Sequence, residues 1–176
     1  DIINISVLLN EMRDWSVFDK VRTYLRKGKH VVIFSFIRND EKMIMKILIV
    51  VTSISMYESG KLETGLWLSE LTHIYDFAKK QGYEITIASP KGGNTPIDPE
   101  SLKPMVLDKM TKEYWADSSF RELLKHTKSL TEVEGQNFDV VYLAGGHGTM
   151  YDFPNDTTLQ NIIRNQYESG KIVSAV

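Results

Sequence analysis

The sequence predicts an α/β fold built on a doubly wound, mostly parallel sheet, and two observations carry this prediction. Short apolar runs rich in β-branched residues alternate with amphipathic helical segments from residue 45 onward, and this alternation favours a parallel sheet with helices on both faces. The first run, Lys46 to Thr52, is almost wholly apolar, as expected for a strand that is covered on both sides.

The predicted elements follow one another in a regular order. A helix over residues 65–81 carries one apolar stripe and ends at Gly82. The later predicted elements are a strand over 83–88, a helix from Ser118 or Ser119 to about residue 126, a strand over 138–144, a helix from Asp156 or Thr157 to about residue 168, and a strand over 172–176. Loops over 53–64, 89–104 and 145–154 follow the carboxyl ends of strands, where ligands bind in such sheets.

Two regions of the chain differ in character. We predict that residues 1–44 are an N-terminal extension of uncertain origin and that residues 45–176 are the N-terminal part of an α/β domain. The extension itself shows a strand–helix–strand pattern, with apolar runs at Ile2–Leu9 and His30–Ile37 around a helix from Asp14 to Gly28. No combination of residues typical of a catalytic site occurs in it.

Composition excludes several classes of function. A formal net charge of -2 argues against a nucleic-acid partner, because such proteins usually carry a basic surplus. The apolar runs are too short to span a bilayer, so no membrane partner is expected. The chain has no cysteine, which excludes disulfides, thiolate metal sites and a cysteine nucleophile within these residues. No histidine pair has metal-binding spacing, and we therefore predict no metal.

The strongest local signal is the glycine turn, Gly145–Thr149, which directly follows a predicted strand. Gly145 and Gly146 can bring bare backbone N–H groups close to a phosphate or an oxyanion. A tight turn without any ligand is the alternative. His147 within the turn is a candidate general base or hydrogen-bond donor, and an exposed loop residue is the alternative there.

Glu70 is the second candidate. It is predicted to lie in the second turn of the first helix, near the end that faces the ligand crevice. Trp67, Glu70 and Leu71 share one arc of that helix, so the carboxylate is expected to be half-buried and suited to proton exchange. A solvated surface glutamate is the alternative.

With these residues in place, residues 45–176 resemble the amino-terminal part of the ThiJ/PfpI superfamily, which has a flavodoxin-like fold shared with class I glutamine amidotransferases. Within it they resemble the branch of glyoxalase III-like stress chaperones. The resemblance rests on ordered motifs: Lys46-Ile47-Leu48 with Thr52-Ser53, Thr64-Gly65-Leu66-Trp67-Leu68-Ser69-Glu70, Gly82-Tyr83-Glu84-Ile85, Ala88-Ser89-Pro90 with Gly92-Gly93, Pro96-Ile97-Asp98-Pro99-Glu100-Ser101, Ala144 to Pro154, and Ile172 to Val176.

The resemblance implies a role for each candidate residue. Glu70 matches the helix glutamate that hydrogen-bonds a nucleophilic cysteine and transfers protons. Gly146, with Gly145 shaping the turn, matches the backbone donor of the oxyanion hole, and His147 matches a histidine beside the pocket. In the family, a strand like Ile172–Val176 runs into Cys-His-Gly, so we expect a fold that is incomplete at the C-terminus and a chain that is inactive as it stands.

The implied function is that of a cytoplasmic glyoxalase acting on a small aldehyde such as methylglyoxal, without glutathione, metal or organic cofactor. Unfolded or glycated proteins are further implied partners, and a homodimer is implied for the full-length protein. The alternative is a non-enzymatic, chaperone-like protein or a degenerate paralogue. A flavodoxin-like binder of a phosphorylated ligand at the glycine turn is a third hypothesis.

Overall fold

A computed structural model describes residues 44–176. The strand–helix–strand pattern predicted for the N-terminal extension lies outside these residues.

The described residues form a mixed α/β fold around a five-stranded sheet. Its strands are β1 (Lys46–Val50), β2 (Glu84–Ser89), β3 (Lys128–Ser129), β4 (Val140–Leu143) and β5 (Ile172–Ala175). The helices are α1 (Leu68–Gln81), α2 (Lys109–Ala116), α3 (Ser118–Lys125), α4 (Leu130–Val133), α5 (Thr149–Asp152) and α6 (Thr157–Glu168). Short 3-10 turns occur at Pro99–Leu102 and Phe153–Asn155. None of the helices in this part of the chain combines the length and apolar character needed to cross a membrane.

All strand pairs are parallel, in the order β3-β2-β1-β4-β5. The register aligns Ala88, Val50, Leu143 and Ala175 across four neighbouring strands. The segments that follow these strands therefore leave the sheet at one common edge. The predicted parallel, doubly wound sheet is confirmed.

Helices cover the sheet on both faces. Leu48, Val50 and Val141 pack with Leu130 of α4 and Leu159 of α6 in one buried cluster. Alternation along a strand turns the neighbouring side chains to the opposite face, which is covered by α1 through its buried residues Leu71, Ile74 and Ala78. A strand with apolar side chains on both faces is what the unbroken apolar run at β1 predicts.

The prediction that the first helix begins at Gly65 is wrong, because α1 begins at Leu68 after the N-cap residue Trp67. Leu66 is instead extended and bridged to Ile97. A β-carbon on Gly65 would stand 2.4 Å from the carbonyl oxygen of Pro96, so this segment runs tightly against the loop after β2. Glu70 consequently lies in the first turn of α1, not the second. The helix ends at Gly82, as predicted.

The predicted caps Ser118 and Ser119 are also wrong. Asp117 caps α3, with its carboxylate accepting a hydrogen bond from the backbone N–H of Ser119. For α6 the open choice between Asp156 and Thr157 is resolved, since Asp156 is the cap and accepts from the N–H of Leu159. The sequence pattern did not predict α2, β3, α4 or α5. Three of them are only two to four residues long, too short for a periodic pattern.

Candidate functional site

Three segments meet at the carboxyl edge of the sheet: the first turn of α1, the glycine turn after β4, and the end of β5. A β-carbon placed on Gly145 would stand 2.6 Å from Oε2 of Glu70 and 2.7 Å from the carbonyl oxygen of Val176. The Glu70 Oε2 atom itself is buried, while the residue as a whole is half-buried. The half-buried position predicted for Glu70 is thus confirmed, and Glu70 and Gly145 are in direct contact.

Gly146 occupies a position that only glycine fits. Its φ is +119°, a conformation that side chains rarely allow. A β-carbon there would stand 2.3 Å from the carbonyl oxygen of Gly65 and 2.7 Å from the nitrogen of Trp67. The glycine turn therefore lies directly on the backbone that enters α1.

Hydrogen bonds hold the first turn of α1 against β4 and the turn that follows it. The backbone N–H of Trp67 donates to the carbonyl oxygen of Gly145 at 3.1 Å. The hydroxyl of Tyr142 on β4 donates to the backbone carbonyl of Glu70 at 3.2 Å. These bonds hold the backbone of Trp67 and Glu70 beside the glycine turn and β4.

His147 occupies a different environment from Glu70. The residue is exposed, and its ring lies 5.7 Å from the ring of Tyr57, centroid to centroid. Tyr57 also contacts the ring of Tyr151 edge-on at 6.2 Å. The predicted site residues thus divide into an inner group, Glu70 with Gly145 and Gly146, and His147 in an outer aromatic group.

Asp152 lies just after the glycine turn, and the sequence predicted no role for it. Its Oδ2 accepts hydrogen bonds from the Thr52 hydroxyl and from the backbone N–H of Ser53, both at 2.8 Å. Burial raises the pKa of the Asp152 carboxyl, against the lowering effect of these hydrogen bonds. Asp152 thereby ties the segment after the glycine turn to the carboxyl end of β1.

The glycine turn also touches β1 through its last glycine. A β-carbon on Gly148 would stand 2.8 Å from Cγ2 of Thr52. The only sequence signal for this junction is that Thr52 and Asp152 each follow a strand that ends at the same edge. Their pairing joins positions 100 residues apart, which no local pattern shows.

Chemically, this arrangement offers a carboxylate beside a glycine turn at the edge where parallel sheets bind ligands. A carboxylate can take up and release a proton, and glycine N–H groups can stabilise negative charge on oxygen. Among residues 44–176, no group of three or more His, Asp or Glu side chains is arranged to hold a metal ion.

These features define an α/β protein whose carboxylate site lies at the carboxyl edge of a parallel sheet. The chain belongs to the DJ-1/PfpI family, whose family model matches residues 62–176.

Among characterised proteins, the chain is 35% identical over 136 residues to "Glyoxalase 3" of Candida albicans, which covers 75% of this chain and 57% of that protein. It is 29% identical over 134 residues to the "Glutathione-independent glyoxalase HSP31" of Saccharomyces cerevisiae, covering 74% of this chain and 56% of that protein. The chain thus spans little more than half the length of these relatives.

A solved structure shows the same relationship. The crystal structure of glyoxalase III from Candida albicans matches with a TM-score of 0.64 and 33% identity, covering 74% of this chain and 56% of that one. The resemblance identified from the sequence is therefore confirmed at the level of family and fold.

Proposed function

We propose that the protein is a glutathione-independent glyoxalase that converts a small 2-oxoaldehyde, such as methylglyoxal, into the corresponding 2-hydroxy acid. The observation that carries this proposal is the contact between the Glu70 carboxylate and Gly145 beside Val176. Membership of the DJ-1/PfpI family and the glyoxalase activity for which the relatives are named support it.

The proposed roles follow from the chemistry of the groups. Glu70 is the general acid–base, Gly146 provides a backbone N–H to the developing oxyanion with Gly145 shaping the turn, and His147 binds or protonates substrate from the outer group. The 176 residues contain no cysteine. The proposal therefore requires a thiol that follows Val176, whose carbonyl oxygen lies against Gly145.

The proposed reaction is redox-neutral overall. The thiolate forms a bond to the aldehyde carbon, and the carbonyl oxygen takes a proton to give a hemithioacetal. Glu70 removes the proton from that carbon while the 2-oxo oxygen takes up a proton, which gives an enediol. A proton then returns to the neighbouring carbon and the hemithioacetal hydroxyl loses its proton, which leaves a thioester and a 2-hydroxyl group. Water then cleaves the thioester, releasing the hydroxy acid and regenerating the thiol. For methylglyoxal the product is lactate.

Two experiments test this function. The reading frame is sequenced beyond Val176, where the proposal expects a cysteine within the first residues. Methylglyoxal consumption and lactate formation are then measured for the product of the whole frame, without glutathione, and for its Glu70→Gln variant. Turnover should be lost in Glu70→Gln and kept in Glu168→Gln, an exposed glutamate at the end of α6. Full activity in Glu70→Gln contradicts the assigned role.

Partners beyond the small aldehyde and a cellular compartment also belong to the proposed function. We propose a second function in holding unfolded or glycated proteins, and the exposed apolar side chains of Leu62, Met105 and Met150 are candidate contact residues. Suppression of the aggregation of a heat-unfolded test protein, retained in Glu70→Gln, would establish that this function is separate from turnover. A homodimer and a cytoplasmic location are expected, to be checked by light scattering and by cell fractionation.

We propose that residues 1–44 are an extension and that residues 45–176 are the N-terminal part of the DJ-1/PfpI domain, in line with the family match over residues 62–176. Deletion of residues 1–44 should leave the unfolding transition of the remaining protein in place. Loss of cooperative unfolding would contradict this boundary.

A further inference from the structure

Tyr142 is a buried polar side chain beside the candidate site. It lies in the middle of β4 with 3% of its surface exposed, and its hydroxyl donates to the backbone carbonyl of Glu70 at 3.2 Å. Burial, and after it the charge of Glu70, raise the pKa of the Tyr142 phenol. The hydroxyl therefore stays protonated and able to donate throughout the neutral pH range.

The position of Tyr142 in the chain gives this hydrogen bond a geometric consequence. Three residues further along, the carbonyl oxygen of Gly145 accepts the backbone N–H of Trp67. The segment from Tyr142 to Gly145 thus holds the first turn of α1 at two points, Trp67 and Glu70. The contact between the Glu70 carboxylate and Gly145 lies beside these two hydrogen bonds.

The two hydrogen bonds, at Trp67 and at Glu70, differ in what their loss would do to the helix. Loss of the Trp67 bond would leave an N-terminal N–H of α1 without its acceptor, whereas loss of the Tyr142 bond leaves the Glu70 carbonyl in its helical position, where it can still accept from residue 74. The Tyr142 hydroxyl is thus not needed for the helix to form. Its specific effect is on where the first turn lies relative to the glycine turn.

We propose that Tyr142 is a positioning residue that holds the Glu70 carboxylate against the glycine turn through its hydrogen bond to the Glu70 backbone. The proposal rests on the proposed function for its catalytic meaning. Its structural part, the location of the carboxylate, stands independently of any turnover.

Tyr142→Phe removes the hydroxyl and keeps the ring, and the chain offers a matched control. The Tyr83 hydroxyl is also buried, with no hydrogen-bond partner among residues 44–176, and burial raises the pKa of Tyr83 to about 12. Tyr83 lies just beyond the C-terminal end of α1, away from Glu70. Tyr83→Phe therefore also removes a buried tyrosine hydroxyl but leaves the hydrogen bonds to Trp67 and Glu70 intact.

The experiment combines crystal structures with kcat and KM for methylglyoxal in the wild-type protein and both variants, made from the whole reading frame. In Tyr142→Phe we expect the Glu70 carboxylate to withdraw from Gly145 and kcat to fall about tenfold with KM nearly unchanged, because a small misplacement of a reacting group slows chemistry more than binding. Tyr83→Phe should keep both the carboxylate position and kcat.

The outcomes separate the two proposals. A Glu70 carboxylate that stays in place in Tyr142→Phe overturns the positioning role, as does a displaced carboxylate with undiminished kcat. If the wild-type protein shows no turnover, the proposed function fails, while the crystal structures still decide whether Tyr142 positions Glu70. Equal losses of kcat in Tyr142→Phe and Tyr83→Phe would indicate general loosening of the core and would also overturn it.

Discussion

Glu70 lies so close to Gly145 that no side chain fits between them: a β-carbon on Gly145 would stand 2.6 Å from the Glu70 Oε2 atom. The carbonyl oxygen of Val176 is 2.7 Å from the same point. The absence of a side chain at position 145 is thus what lets the helix carboxylate and the end of β5 approach the glycine turn together.

Gly145→Ala should therefore displace Glu70 or the end of β5. We expect methylglyoxal turnover in the full-length protein to fall about a hundredfold, because a misplacement near 1 Å is enough for such a loss. Gly60→Ala is the control, since a β-carbon there meets open space and carries only the strain of its positive φ. Equal turnover in Gly145→Ala and the wild type would show that the contact is irrelevant to catalysis.

Asp152 should reveal its structural role through two substitutions. Asp152→Ala leaves the Ser53 N–H and the Thr52 hydroxyl without their acceptor, and we expect a loss of about 1–3 kcal/mol in unfolding free energy. Asp152→Asn keeps an oxygen acceptor for Ser53 and removes a partly buried charge, so its stability should match or exceed that of the wild type at pH 7. Urea unfolding measures both; equal losses in the two variants would refute this role.

The pH dependence of the Asp152→Asn effect has a defined sign. The pKa of Asp152 is raised in the folded state, so its protonated form contributes stability in acid that is lost as pH rises through the folded pKa. The unfolding free energy of Asp152→Asn should therefore increasingly exceed that of the wild type as the pH rises above about 4, the region of an ordinary aspartate pKa. Below that pH the difference in unfolding free energy should vanish. Urea unfolding of both proteins between acid and neutral pH measures this difference. A difference that is the same at every pH would contradict the prediction.

His147 is expected to affect activity far more than stability. Because the residue is exposed, His147→Ala should change the unfolding free energy by no more than about 0.5 kcal/mol. If His147 takes part in proton transfer, kcat/KM for methylglyoxal should fall about a hundredfold. His126→Ala, an exposed histidine paired with Glu122 at the end of α3, provides the matched comparison. Undiminished turnover in His147→Ala would remove it from the mechanism.

Asp117 should be the stabilising cap of α3. Asp117→Ala removes the acceptor of the Ser119 N–H and is expected to lower the thermal midpoint by a few degrees. Ser118→Ala should leave it nearly unchanged, because Ser118 is the first helical residue and not the cap. Circular dichroism measures both thermal midpoints. A larger fall in Ser118→Ala than in Asp117→Ala would indicate that Ser118 is the cap.

Local signals in the sequence were sufficient for the long elements. The apolar run at β1, the stripe and terminal Gly82 of α1, and the cap and length of α6 each encode their own structure in consecutive residues. The start of α1 could not be predicted in this way, because Leu66 pairs with Ile97, which lies 31 positions later in the chain. A tertiary bridge there overrides the helical pattern of residues 65–67.

Some residues of the candidate site carry a local signal in the sequence and others do not. Gly145, Gly146 and His147 stand out because they follow a strand directly, and Glu70 because of its place on the helix. Asp152 and Tyr142 carry no such signal, since their partners Thr52 and Glu70 lie on other elements. Their part in the site became visible only where those elements pack together.

By itself, the sequence determined the α/β class, the parallel sheet implied by alternating elements, and two separate candidates, the glycine turn and the half-buried Glu70. Each of these depends on residues close together in the chain. The tertiary structure alone decided that Glu70 and Val176 both lie against Gly145, that the Tyr142 hydroxyl donates to the backbone of Glu70, and that Asp152 binds the end of β1. Those contacts join residues about 30 to 100 positions apart, and only the packing of the sheet and its helices brings them within contact distance.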